Sequence, residues 1–74
     1  GRPIRVRIPV SDVAAALAVV GRFTDDAEVL GEGSTRVIQI PDPADLDAEE
    51  QHPFARILVP TLRAADVEVV SAIL

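Results

Sequence analysis

"FARILVPTLRAADVEVVSAIL", residues 54–74, can be divided in two ways, and the division sets the order of elements in the C-terminal half of the fold. In the first, FARILVP (54–60) is a strand, with Ala55, Ile57 and Val59 on one face and Phe54, Arg56 and Leu58 on the other. A helix then starts after Thr61, and Leu62, Ala65, Val69 and Ile73 fall near helical spacing. In the second, the helix ends at Asp66 and VEVVSAIL is a strand, because β-branched residues are dense there. The helical spacing favours strand then helix. No helix stop stands at Leu74, so the natural chain is expected to extend past it.

Working back toward the N-terminus, PDPADLDAEEQHP (41–53) breaks the composition with its prolines and acids. Asp42 before Pro43 is a cap followed by a first-turn residue, and the acids after it suit a helix N-terminus. An acidic, Pro-rich surface loop or short helical turn is expected within one α+β domain spanning 1–74. Before it, AEVLGEGSTRVIQIP reads as a hairpin, with strands at 27–30 and 35–40 around a loop whose Gly31 and Gly33 can take positive φ. Ile38 and Ile40 point one way with Arg36, and Val37 and Gln39 the other. PIRVRIPV (3–10) alternates Ile4, Val6 and Ile8 with Arg5 and Arg7, the pattern of a half-buried strand.

Ser11 and Asp12 then cap a helix reaching about Val20, with Gly21 placed for a left-handed stop. Val13, Ala16, Leu17 and Val20 form the expected core stripe. Ala14, Ala15, Ala18 and Val19 make a second apolar face on the same helix. That back is small and smooth, suited to close packing against another element.

These elements imply an α+β fold: a small single-layer mixed or antiparallel sheet with two helices packed on one face, in the order β-α-β-β-β-α. The expected core is Ile4, Val6, Ile8, Ile38, Ile40, Ile57 and Val59 under Leu17 and Val20. Through Ile40 the strand–helix–strand start resembles the ferredoxin-like α+β sandwiches, a group that includes small regulatory amino-acid-binding modules. The likeness lies in element order and implies a two-layer sandwich without assigning a function.

Composition narrows the chemistry. The chain has 74 residues, 49% of them hydrophobic but only 3% aromatic, with a formal net charge of −5 and no cysteine. Disulfides and thiolate metal sites are therefore excluded, and a single histidine, His52, excludes a His-based zinc site within one chain. All basic residues are arginine, a usage that points to GC-rich coding sequence, as in actinobacteria and their phages. No apolar run is long enough for a membrane span, and no signal-peptide layout opens the chain, so a cytoplasmic protein with no membrane partner is expected.

No catalytic signature emerges. Asp42, Asp45, Asp47, Glu49 and Glu50 offer oxygen ligands, but without the central glycine and alternation of a calcium loop they read as a solvated acidic segment. His52 has no evident nucleophile or oxyanion donor to serve, and the glycines of Gly31-Glu32-Gly33 answer to turn geometry. The chain is expected to be neither an enzyme nor a binder of any cofactor or metal.

What remains is contact with other molecules. A chain this short has a marginal core, and with disulfides and metals excluded, association is the remaining staple. The expected function is a small adaptor or regulatory module that self-associates, as a two-fold dimer, or docks on a partner protein. The candidate contact residues are Ala14, Ala15, Ala18 and Val19 on the helix, and Arg5, Arg7, Arg56 and Phe54 on a sheet face. That Arg-bearing face would alternatively suit a nucleic-acid-associated phage or mobile-element protein. Net acidity and a single aromatic platform make nucleic acid the less favoured partner. A small-ligand sensor with its pocket at a dimer interface is the third reading.

Overall fold

The computed structural model describes residues 3–41 and 48–73, with side chains described at 3–41 and 56–73. In chain order the elements are β1 (Ile4–Pro9), a 3₁₀ turn (Val10–Asp12), α1 (Val13–Val20), β2 (Glu28–Leu30), β3 (Thr35–Ile40), α2 (Ala48–Ala64) and β4 (Ser71–Ile73). The sheet order is β2-β3-β1-β4, and every pairing is antiparallel. Each helix joins two strands that run the same way with one strand between them, the ferredoxin-like, split β-α-β arrangement.

The α+β two-layer class holds, but the order of the last two elements is the reverse of the expected β-α-β-β-β-α. FARILVP is part of α2, and the C-terminal segment supplies β4 instead of a helix. Pro60 lies in the helix interior, where it withholds the N–H that would meet the Arg56 carbonyl. One turn on, the Thr61 hydroxyl donates to the Ile57 carbonyl at 2.6 Å, and Leu58 and Leu62, four apart, are both fully buried. Core burial of that pair outweighs the local cost of the proline.

The stop of α2 involves no glycine. The Val67 N–H donates to the Leu62 carbonyl at 3.0 Å and the Asp66 N–H to the Arg63 carbonyl at 3.1 Å, with Asp66 at φ 62°. This is a Schellman cap with aspartate in the left-handed position, and its two hydrophobic ends, Leu62 and Val67, are both core residues. Gly21, by contrast, ends α1 in right-handed geometry at φ −61°, correcting the expected left-handed stop. Gly31 and Gly33 do take positive φ, at 104° and 89°.

Ile4, Val6 and Ile8 of β1 and Ile38 and Ile40 of β3 form the floor of the core, in the register Ile4↔Ile40 and Val6↔Ile38. Ala16, Val19 and Val20 of α1, Leu58 and Leu62 of α2, and Val67 close it from one side. Helix α1 is turned from its expected orientation: Leu17 is 37% exposed, whereas Val19, assigned to the outer face, is 3% exposed. All eight residues of α1 are apolar, so no polar stripe sets its rotation. The fully buried Ala16 gives the helix a contact with no side-chain bulk, and Val19 and Val20 flank it. Ile57 is likewise outside the expected core, at 52% exposure, because helical rather than strand periodicity governs 54–64.

The expected acidic loop at 41–53 falls largely outside the described residues, and from Ala48 onward its backbone is helical. Among the described residues no helix is long and apolar enough to cross a membrane.

Candidate interaction surface

Because both helices cover the same side of the sheet, the other side has no second layer among the described residues. Strand alternation puts Arg5 and Arg7 of β1 there, since Ile4, Val6 and Ile8 take the core side. The ladder then fixes their neighbours. One rung of the open face reads Glu28, Gln39, Arg5, Ile73 across the four strands, and the next reads Leu30, Val37, Arg7, Ser71.

Both arginines are exposed yet held in place. Arg5 Nε donates to Gln39 Oε1 at 2.8 Å, and Arg7 Nη1 donates to Thr35 Oγ1 at 2.9 Å. Each contact uses one of five guanidinium donors and anchors the side chain over β3. Among the described residues neither arginine pairs with a carboxylate. Around them lies exposed apolar surface: Ile73 is 62% and Leu30 43% exposed, and Val37 is half-buried between them.

A shallow, open depression of about 90 Å³ is lined by Arg5, Arg7, Val37, Ser71 and Ile73. It is well below the few hundred Å³ of sites that enclose small molecules. Its shape suits a side chain reaching in from a facing surface. No group of three or more His, Cys, Asp or Glu residues among those described could hold a metal ion.

The expected contact residues divide. Ala14, Ala15 and Ala18 are exposed on the outer side of α1, as expected, with Leu17 beside them. Val19 is removed from that set by its burial. Arg56 is exposed on α2, not on the sheet, so it does not join Arg5 and Arg7. Phe54 also belongs to α2, and its side chain lies outside the described residues, as does that of His52. The expected three-arginine sheet face is therefore a two-arginine face.

Ile73 and Ser71 were missed as members of this surface because their segment was read as helix. Leu30 and Glu28 could have been placed there from the hairpin, once its register was known. Searches against protein-family models, curated proteins and solved structures found no match to this chain.

Proposed function

We propose that the protein is a small cytoplasmic interaction module that works by self-association, as a two-fold dimer, or by docking on a partner protein. One observation carries this reading: the uncovered sheet face sets two immobilised arginines among Leu30, Val37 and Ile73. Interfaces favour arginine anchored among apolar groups, because its planar fork loses little freedom on binding and its stem adds apolar area. The outer side of α1 adds a second uncharged surface through Ala14, Ala15, Leu17 and Ala18. A nucleic-acid role draws less support. With Arg56 on α2, two arginines share the face in a chain of net charge −5.

The test is molar mass by light scattering from low to high micromolar concentration, with thermal unfolding at each concentration. Mass rising toward two chains, and a midpoint rising with concentration, is the expected outcome. A one-chain mass throughout, with a concentration-independent midpoint, overturns self-association.

A further inference from the structure

We infer that the open sheet face pairs with the same face of a second copy, about a two-fold axis parallel to the strands and centred on β3, so that Arg5 of each copy meets Glu28 of the other. This rests on the self-association arm of the proposed function and specifies the surface and register it uses.

Three surfaces compete. The sheet edges are weak candidates, since β2 and β4 are three residues each, and short edge strands offer few unpaired backbone groups for pairing between chains. The outer side of α1 is uncharged and small, with nothing in it to select a partner or a register. The sheet face alone carries opposite charges in a fixed arrangement: Glu28 and Arg5 stand on the same rung with Gln39 between them. That rung is self-complementary in an isologous contact.

Symmetry then chooses among registers. A two-fold along the strands keeps each rung facing its own copy. Centred on β1, it sets Arg5 against Arg5 and Arg7 against Arg7, stacking like charges. Centred between β1 and β3, it sets Arg5 against Gln39 and Glu28 against the apolar Ile73. A two-fold running across the strands between the rungs sets Arg5 against Arg7. Centred on β3, it sets Arg5 against Glu28 on one rung; on the other it sets Val37 against Val37 and Arg7 against Leu30. This is the register that pairs both charges of the first rung.

Reach allows it. Face-packed sheets lie about 10 Å apart, a gap that an arginine and a glutamate can close from opposite sides. Arg5 spends its Nε on Gln39, which leaves the two terminal nitrogens to receive a carboxylate. Arg7 lays its aliphatic stem against Leu30 of the second copy. A four-stranded face with three-residue edges is at the low end of specific interface areas, so the dimer is expected to be micromolar.

The experiment is sedimentation equilibrium on the wild type, Arg5→Glu, Glu28→Arg and the double reversal, with circular dichroism to check folding. Two-fold symmetry makes each pair twice, so either single reversal is expected to weaken the dimer by about tenfold or more. The double variant is expected to return close to wild-type affinity. Concentration-dependent amide shifts in wild-type nuclear magnetic resonance spectra, a readout independent of any variant's folding, are expected at Leu30, Val37 and Gln39. A monomeric wild type overturns both the inference and the self-association reading. A wild-type dimer indifferent to both reversals, a double variant as weak as the singles, or shifts centred on Ala14, Ala15 and Ala18 overturns the inference and leaves self-association standing.

Discussion

The Asp12 carboxylate accepts a hydrogen bond from the backbone N–H of Glu68 at 3.1 Å, across 56 positions of sequence. Asp12 makes no side-chain capping bond to α1. It ties the 3₁₀ turn after β1 to the segment that leads from α2 into β4. A few residues on, the Val70 N–H donates to the Arg7 carbonyl at 2.9 Å and begins the β1–β4 pairing. The edge strand of the open face is therefore positioned in part by one acidic side chain.

Asp12→Ala is expected to cost about 1 kcal/mol, since the bond is charge-assisted but exposed. For a domain of this size that lowers the melting midpoint by about 4–8 °C. Asp12→Asn, which keeps an acceptor, is expected to lose less. Amide exchange at Glu68 should speed up in Asp12→Ala while exchange in β3 follows only the global loss. An unchanged Glu68 exchange rate would sink this role.

Asp66 holds a left-handed conformation that costs a side chain of any size. Asp66→Gly is expected to stabilise the fold by about 0.5–1 kcal/mol, after the added freedom of glycine in the unfolded chain is subtracted. Asp66→Val, β-branched at φ 62°, is expected to destabilise it. Thermal denaturation of both variants measures the difference, and the opposite order would show that α2 ends differently.

Val19→Asp is expected to unfold the protein, because Val19 is 3% exposed and an unpaired carboxylate there costs several kcal/mol, of the order of the whole stability of a small domain. Leu17→Asp and Ala15→Asp, both on the outer side of α1, are expected to leave the far-ultraviolet circular dichroism unchanged. If Leu17→Asp unfolds the chain, α1 is rotated from the orientation described above.

No specific binding to DNA or RNA is expected at physiological salt. The affinity supplied by phosphate contacts falls with salt at a slope near −0.9 per phosphate neutralised, and two arginines on one face give only weak attraction. Fluorescence polarisation with mixed single- and double-stranded oligonucleotides in 150 mM salt measures this. Sub-micromolar affinity that drops on Arg5→Ala or Arg7→Ala would favour the nucleic-acid reading over the protein-interaction one.

Much of this architecture was legible in the residues themselves. Period-two alternation placed β1 and β3 and told their core sides from their open sides, because one face of each strand is apolar and the other is not. The glycines at 31 and 33 marked the hairpin because few other residues accept positive φ. The placement of Arg5 and Arg7 on the uncovered face follows from the same alternation.

Three features were decided only by tertiary packing. Helix α1 has no polar residue, so its sequence holds no information about rotation, and the choice of Val19 over Leu17 came from how Ala16 lets the helix approach the sheet. Residues 54–64 alternate well enough to pass for a strand, and Pro60 argues against a helix interior. They are helical because Leu58 and Leu62 can then enter one core together, an advantage that local propensity does not register. The segment 67–73 has both β-branched density and helical spacing. It became a strand because Asp66 ends α2 in a Schellman cap and the free edge of β1 stood ready to pair with Ser71–Ile73. Local pattern determines which side of an element is apolar wherever the two sides differ. Where they do not, the rotation or even the type of the element is set by the partners it finds.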